Sequence, residues 1–327
     1  MPHLPYTAPQ AIRPGDLVAV LAPSGPPPPG RLREGLDLLS GRYRLRLDPT
    51  LSARQGYLAG PDEARADALN KALADPDMRA VFCARGGYGA TRLLPSLDPS
   101  PLLADPKPIV GFSDVTALLC WALAHGVGSV HGPVITQMPR LSGVDMAQLF
   151  QVLEHPEAGG VLAGTPLCPD PRAPGPARSL SGPLVGGNLS LLAALAGTPW
   201  ALRAKGSILL LEDVSEEPYR LDRMLTQLRQ QADPMEPAAV GIGQLLGCRA
   251  EGPGAPGAQG APGTSNAPGA PGAQPTALAV FIERLGAPGR PLVSGLPFGH
   301  GDANRAWPVG ALAHLDTRRG ELRWGPG

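Results

Sequence analysis

Short apolar segments alternate with amphipathic ones along the first half of the chain, and glycine-rich turns separate them. Strands that return to one sheet through a helix run parallel, and the helices then cover the sheet faces. This alternation predicts an α/β fold whose N-terminal part is a parallel, Rossmann-like sheet. The predicted order is strand 16–26 (ending in a Ser-Gly-Pro turn), helix 31–40, strand 43–47, helix 63–74, strand 80–84 and strand 108–112.

Glycine and proline become frequent near residue 160, which marks a candidate domain boundary. We predict an N-terminal domain at 1–160, a linker at 161–180 and a smaller, β-rich mixed α/β domain at 181–327. In that second domain, residues 184–197 (LVGGNLSLLAALAG) are predicted to be a turn that opens a short helix. Residues 251–275 consist almost wholly of Gly, Pro, Ala and Gln, and are predicted to be a flexible surface insertion.

Composition limits the classes of function. The 28 Lys and Arg residues balance the 28 Asp and Glu residues, and no basic stripe indicates a nucleic-acid partner. No signal peptide or membrane-spanning run is recognisable, so we expect a cytoplasmic protein without a membrane partner. Widely spaced cysteines are typical of buried thiols in a reducing compartment; they are Cys83, Cys120, Cys168 and Cys248.

Residues 107–126 (KPIVGFSDVTALLCWALAHG) are predicted to join a short strand to a helix at Ser113, with Gly111 freeing the turn and Gly126 ending the helix. A serine hydroxyl at this junction lies beside unpaired backbone N–H groups and the positive end of the helix dipole. That position suits a nucleophile. It equally suits an ordinary helix N-cap, and Val115 replaces the second glycine of the G-x-S-x-G motif.

A glycine turn, residues 85–89 (RGGYG), follows the apolar strand 80–84. It fits neither the dinucleotide-binding motif nor the phosphate-loop motif, and no lysine follows it. The glycines could bring backbone N–H groups close to a ligand, as an oxyanion site requires, or could simply permit a tight turn. No cluster of metal-ligand residues is visible in the sequence, so we expect no metal and no cofactor.

Three polar residues, Ser113, Glu212 and His300, stand where apolar strands are predicted to stop. Catalytic residues of α/β proteins lie at the carboxyl ends of strands. Serine needs an imidazole to take its proton, and the imidazole needs an acceptor on its other nitrogen. Each position also has an ordinary structural explanation. The competing residues are His125 and His131 for the base, and Asp213, Glu216 and Glu217 for the carboxylate.

Several longer motifs occur in one order along the chain, and together they resemble the LD-carboxypeptidase family of serine peptidases, which also includes the microcin-immunity peptidases. The insertion at 251–275 departs from the family pattern. The matching motifs are GDLVAVLAPSGP (15–26), YLAGPDEARADALNKAL (57–73), RGGYGATRLL (85–94), GFSDVTALL (111–119), HGPV (131–134), GPLVGGNLSLLAALAGTPW (182–200), LEDVSEEPYRLDRML (211–225) and GLPFGHG (295–301).

The resemblance implies a cytoplasmic, homodimeric serine carboxypeptidase that removes the terminal D-alanine from murein tetrapeptides during cell-wall recycling. It implies Ser113 as nucleophile, His300 as general base and Glu212 as the carboxylate, with Glu216 as second choice. Two other functions stay open at this point. One is an immunity-type peptidase or amidase acting on a peptide–nucleotide antibiotic, and the other is a non-catalytic peptide-binding protein.

The same resemblance implies an oxyanion hole made of backbone N–H groups. These belong to Asp114 and to Gly86 or Gly87 of the glycine turn. A carboxypeptidase must also recognise a free C-terminal carboxylate, and Arg85 is our candidate for that contact. An arginine at this position could instead be purely structural.

Overall fold

The computed structural model describes residues 6–167, 179–233, 235–249, 275–286 and 289–325. The predicted insertion at 251–275 lies outside these residues, apart from its last position, and so does Cys168. Within the described part of the chain, no helix is both long enough and apolar enough to cross a membrane.

The strands and helices follow one another along the chain much as the apolar periodicity predicts. The strands are β1 Leu17–Leu21, β2 Arg44–Leu47, β3 Met78–Cys83, β4 Ile109–Gly111, β5 Ser129–His131, β6 Gly160–Ala163, β7 Thr165–Leu167, β8 Ser179–Asn188, β9 Ile208–Val214, β10 Ala239–Leu246, β11 Leu292–Ser294, β12 Trp307–Val309, β13 Leu312–Asp316 and β14 Glu321–Trp324. The helices are α1 Pro29–Ser40, α2 Asp62–Ala74, α3 Ser100–Ala104, α4 Thr116–Ala124, α5 Gly143–Glu154, α6 Leu189–Leu195, α7 Pro218–Gln230 and α8 Ala277–Leu285.

The first sheet has six strands in the order β12-β5-β4-β3-β1-β2. Strands β1 to β5 pair in parallel, which confirms the predicted fold of the N-terminal part. Strand β12 returns from far along the chain and pairs antiparallel with β5, where Trp307 lies opposite His131. The carboxyl ends of the adjacent strands β1, β3 and β4 therefore open at one edge of the sheet.

The second sheet has eight strands in the order β6-β14-β13-β8-β9-β10-β11-β7. Its centre, from β8 to β11, is parallel, and its outer strands pair antiparallel. This is the mixed, β-rich architecture that the sequence predicts. Helix α4 leaves the first sheet and contacts β8 and α6, so it links the two sheets just beyond Ser113.

The prediction of a turn at the start of 184–197 is wrong, because these residues complete the ten-residue strand β8 before α6 begins. Gly186 and Gly187 have φ of +128° and +136°, yet both keep their ladder partners in β9. A Cβ on Gly187 would lie 2.7 Å from the Thr116 hydroxyl oxygen. Gly187 therefore lets α4 approach the sheet closely, whereas a Cβ on Gly186 would clash with the Leu210 carbonyl of β9.

Part of the segment predicted as a linker also forms strands. Residues 160–163 are β6 and residues 165–167 are β7, and both are edge strands of the second sheet. Proline is tolerated at a sheet edge, so Pro166 does not prevent pairing. The division into domains at 160 and 181 stays a prediction.

Candidate active site

Ser113 lies between β4 and α4, in a single 3₁₀ turn, and has a φ of +61°. A non-glycine residue in the left-handed region costs roughly 1–2 kcal/mol, so the surrounding structure must hold it there. Gly111 has a role different from the predicted one, since the left-handed residue is the serine itself. A Cβ on Gly111 would lie 2.6 Å from the Cγ1 atom of Val115, so glycine is needed for packing.

The Ser113 hydroxyl does not act as a helix cap. The Val115 amide donates to the Phe112 carbonyl, and the Thr116 amide donates to the carbonyls of Ser113 and Asp114. The Ser113 Oγ atom instead lies 3.0 Å from the His300 Nε2 atom. Further along, Gly126 has a φ of +79° just after α4, which confirms the predicted helix end.

His300 lies in the loop between β11 and β12, and its ring connects the serine to a carboxylate. The His300 Nδ1 atom lies 2.6 Å from the Glu212 Oε2 atom. Glu212 is fully buried, whereas the His300 side chain keeps 18% of its surface exposed. A buried carboxylate can hold one imidazole tautomer and stabilise the imidazolium, while the exposed ring edge leaves room for a substrate.

The other carboxylates near this strand end have partners other than His300, although Asp213 shares the Asn188 amide group with Glu212. Asp213 accepts hydrogen bonds from the Ser190 amide and hydroxyl at 2.9 and 2.8 Å. Glu216 lies 3.8 Å from Arg220, and Glu217 also pairs with that arginine. Because side chains alternate along β9, Glu212 points to His300 and Asp213 points to the start of α6.

The competing histidines are also placed elsewhere. His125 bonds through Nδ1 to the Trp121 carbonyl at 2.8 Å, at the end of α4. His131 is fully buried and stacks on Trp307 at 4.8 Å between ring centroids. Burial, together with the nearby His300, lowers the pKa of His131 to about 3. A histidine with that pKa is a poor proton acceptor.

The glycine turn lies directly against the serine. A Cβ on Gly86 would lie 2.9 Å from Ser113 Oγ and 3.4 Å from the Asp114 backbone nitrogen. The Gly86 carbonyl accepts a hydrogen bond from the Gly25 amide at 3.1 Å, so the Ser-Gly-Pro turn after β1 supports it. Three neighbouring strand ends thus bring the hydroxyl and the two predicted oxyanion donors, Gly86 and Asp114, to one place. Gly87, the alternative donor, has a φ of +103°.

Arg85, the candidate for substrate recognition, is half-buried beside the glycine turn. Its Nη1 atom donates to the Pro26 carbonyl at 2.7 Å. This bond uses one of the five guanidinium donors and ties the turn to the Ser-Gly-Pro segment.

Several residues that support the site were missed by the sequence analysis. The Asn188 Nδ2 group donates to Glu212 Oε1 at 3.1 Å, at the end of β8. Asn304 accepts from the Gly299 amide at 3.1 Å and donates to Gln137 at 2.7 Å, and the Gln244 side chain accepts from the Gly301 amide. Asn188 follows a run of strand residues, as Glu212 does, so the strand-end criterion could have found it.

In the parts of the chain that the structure describes, no three His, Cys, Asp or Glu side chains form a group that could hold a metal ion. The arrangement that the structure does contain is a hydroxyl, an imidazole and a buried carboxylate in one row, with the Gly86 backbone packed against the serine. That set of groups can carry out acyl transfer.

Two family models match the chain. The model described as the LD-carboxypeptidase N-terminal domain matches residues 18–132, and the one described as the C-terminal domain matches residues 181–315. The chain belongs to the LD-carboxypeptidase family. It is therefore a peptidase, as the motifs predict.

Individual LD-carboxypeptidase relatives agree with this assignment. The murein tetrapeptide carboxypeptidase of Pseudomonas aeruginosa is 37% identical over 300 residues, which cover 89% of this chain and 86% of the relative. The crystal structure of muramoyltetrapeptide carboxypeptidase from Oxalobacter formigenes superimposes with a TM-score of 0.77 at 30% identity, covering 95% of this chain and 99% of that one. The microcin C7 self-immunity protein MccF of Escherichia coli is 26% identical over 223 residues, which cover 60% of this chain and 63% of MccF.

Proposed function

We propose that this LD-carboxypeptidase family member releases the terminal D-alanine from murein tetrapeptides by serine acyl transfer. The observation that carries the proposal is the row formed by Ser113, His300 and Glu212, with distances of 3.0 and 2.6 Å between successive groups. The similarity to murein tetrapeptide carboxypeptidases supports the choice of substrate.

In the first step, His300 Nε2 takes the proton of Ser113, and the serine oxygen attacks the carbonyl that joins the L-centre to D-alanine. Negative charge then develops on the carbonyl oxygen. The Gly86 and Asp114 amides are the proposed donors to this oxyanion, and loss of one such donor typically costs about 10²–10³ in kcat. Glu212 holds the Nδ1 proton and stabilises the imidazolium.

In the second step, His300 donates its proton to the amine of D-alanine, which leaves as the C–N bond breaks. A water molecule then attacks the acyl-enzyme, and His300 takes a proton from that water. Collapse of the second tetrahedral intermediate returns the proton to Ser113 and releases the shortened peptide. Every proton in this cycle passes through one imidazole, which explains why its ring edge stays exposed.

Arg85 is the proposed contact for the free carboxylate of the terminal D-alanine. Its position directly before Gly86 supports this role, because the scissile carbonyl and the terminal carboxylate belong to adjacent residues of the substrate. The guanidinium is anchored at one nitrogen by the Pro26 carbonyl, and a fixed guanidinium binds a carboxylate with less loss of side-chain entropy.

We further propose that the enzyme is cytoplasmic and homodimeric. Buried free thiols at Cys83, Cys120 and Cys248 fit a reducing compartment. Family resemblance alone motivates the homodimer, and light scattering after size-exclusion chromatography would measure the mass of the assembly.

Digestion of purified murein tetrapeptides, followed by mass spectrometry, tests the proposed reaction. We expect loss of one alanine from peptides that end in D-alanine at the L-centre, and no cleavage of matched peptides that end in L-alanine. Cleavage of a peptide–nucleotide antibiotic in place of the murein peptide would instead support an immunity-type peptidase. Binding of the tetrapeptide without turnover would indicate a non-catalytic peptide-binding protein.

A further inference from the structure

Arg65, in the second turn of α2, is fully buried although it carries a charge. Its guanidinium donates to backbone carbonyls of three separate loops: to Gly60 at 3.3 Å, to Gly89 at 3.0 Å and to Pro23. It also pairs with the Asp62 carboxylate. A buried guanidinium is tolerated when its donors are satisfied in this way.

These loops include those that build the oxyanion site. Pro23 immediately precedes the Ser-Gly-Pro segment, whose Gly25 amide bonds to the Gly86 carbonyl. Gly89 ends the glycine turn and has a φ of +131°. A Cβ on Gly89 would lie 2.7 Å from the nearest Arg65 nitrogen, so glycine is required for the guanidinium to approach.

Asp114 holds the same part of the turn from the opposite side. Its side chain is buried, and its Oδ2 atom accepts a hydrogen bond from the Ala90 amide at 2.8 Å. The Ala90 N–H and the Gly89 carbonyl belong to one peptide group. That peptide group therefore lies between a buried cation, which binds its oxygen, and a buried anion, which binds its N–H. Burial raises the pKa of Asp114, and the charge of Arg65 is among the influences that oppose this rise.

We propose that Arg65 and the Asp114 carboxylate are positioning residues that fix the glycine turn against Ser113 and so set the oxyanion site. This rests on the acyl transfer proposed above. The two side chains bracket the 89–90 peptide, and the Asp114 backbone N–H is itself a proposed donor to the oxyanion. A displacement of the turn by about 1 Å would weaken catalysis by roughly a hundredfold.

Substitution of Arg65 tests the proposal. In Arg65→Met we expect kcat to fall about a hundredfold while KM stays within about threefold, because oxyanion contacts form only in the transition state. Arg65→Lys keeps the charge but cannot reach all the carbonyls, and we expect an intermediate loss of kcat. If Arg65→Met does not fold, Arg65→Lys and Asp114→Asn carry the same test.

Arg92→Met is the matched control. Arg92 pairs with the same Asp62 carboxylate, but its side chain is 42% exposed. This variant removes an arginine that pairs with Asp62, but it leaves the hydrogen bonds from Arg65 to the buried carbonyls in place. We expect it to keep the kcat of the wild type.

A purely structural role for Arg65 predicts a different pattern, so inhibitor affinity separates the two. A boronic acid analogue of the acyl portion of the substrate forms a tetrahedral adduct with the serine, and its oxygen occupies the oxyanion site. The tripeptide product ends in a planar carboxylate and forms no tetrahedral adduct, so its binding depends far less on the oxyanion contacts. We expect the folded Arg65 variants to bind the boronic acid at least tenfold more weakly and the tripeptide as the wild type does.

Folded Arg65 and Asp114 variants that keep the wild-type kcat and boronic acid affinity would overturn the proposal, as would an equal loss of affinity for both inhibitors. Failure of the proposed function is distinguishable, because it would appear in the wild-type enzyme itself as no release of D-alanine and no boronic acid adduct on Ser113.

Discussion

The Glu212 carboxylate lies 2.6 Å from His300 Nδ1 and is fully buried. Its second oxygen accepts a hydrogen bond from Asn188 at 3.1 Å. A carboxylate with both oxygens engaged and no contact with solvent is held in a single orientation. It can therefore hold the imidazole in the tautomer that presents an unprotonated Nε2 to Ser113.

Glu212→Gln keeps the shape of this residue but removes its charge. We expect kcat for D-alanine release to fall by about 10²–10⁴, with little change in KM, because the imidazolium loses its counter-charge. Glu216→Gln is the matched control, since Glu216 pairs with Arg220 at 3.8 Å and not with His300. Steady-state kinetics on both variants would contradict the assignment if Glu216→Gln showed the larger loss.

The contact between Gly86 and Ser113 leads to a second prediction. In Gly86→Ala the new methyl group would lie 2.9 Å from Ser113 Oγ, so the hydroxyl or the turn must move. We expect kcat to fall at least a hundredfold while the thermal midpoint changes by only a few degrees. Gly30→Ala is the control, because a Cβ at Gly30 meets no atom within 4 Å. Wild-type kcat in Gly86→Ala would contradict the proposed oxyanion site.

Arg85→Gln should raise KM for tetrapeptides with a free terminal carboxylate by about tenfold or more. Hydrogen bonds to charged groups contribute roughly 1.5–3 kcal/mol, and glutamine lacks the charge. A peptide amide with the same sequence supplies the comparison. If the wild type and the variant discriminate equally between the free acid and the amide, Arg85 does not bind the carboxylate.

His131 leads to a prediction about stability and pH. Burial, and secondarily the charge of His300, lower the pKa of His131 to about 3, against about 6.5 in an unfolded chain. Between these values the unfolded chain binds a proton that the folded chain excludes. The free energy of unfolding therefore falls as the pH falls through this window, by up to about 1.4 kcal/mol per pH unit.

His131→Phe removes that titration and keeps a ring against Trp307. Relative to the wild type, we expect it to gain about 2 kcal/mol of stability on going from pH 7 to about pH 4.5, measured by urea unfolding at both values. An unchanged slope in His131→Phe would contradict the predicted burial of a neutral imidazole.

Much of the site was predictable because it obeys a local rule. Ser113 follows β4 of the first sheet, Glu212 lies near the end of β9 in the second sheet, and His300 lies in the loop that follows β11, so each stands near the carboxyl end of a parallel strand. Their meeting across two sheets is a long-range relationship that this rule does not contain. The choice between Glu212 and Glu216 required more than the local sequence pattern. It required knowing that β9 continues through Val214, so that alternation turns Glu212 toward His300.

Other features depend on contacts that no local pattern contains. Arg65 stands in an amphipathic helix, where an arginine is normally solvated, and only the convergence of three distant loops buries it. Gly186 and Gly187 suggest a turn, but their positive φ angles occur within β8, where Gly186 lies against the Leu210 carbonyl of β9 and Gly187 lies against Thr116 of α4. The short strands β6 and β7 lie in a Gly- and Pro-rich stretch, where propensity argues against strands.

The central claim is that Ser113 is the nucleophile, and mapping of covalent labelling tests it most directly. The wild type, Ser113→Ala and Ser215→Ala would be treated with a fluorophosphonate and mapped by peptide mass spectrometry, with D-alanine release measured in parallel. Ser215 is the matched control, since it is exposed and is the other described non-glycine residue with positive φ, at +58°. We predict one phosphonyl group on Ser113 in both the wild type and Ser215→Ala, and we expect D-alanine release by these two enzymes to fall in proportion to labelling. Ser113→Ala should be inactive and unlabelled. Release of D-alanine by Ser113→Ala, or by wild-type enzyme fully labelled at Ser113, would contradict the account.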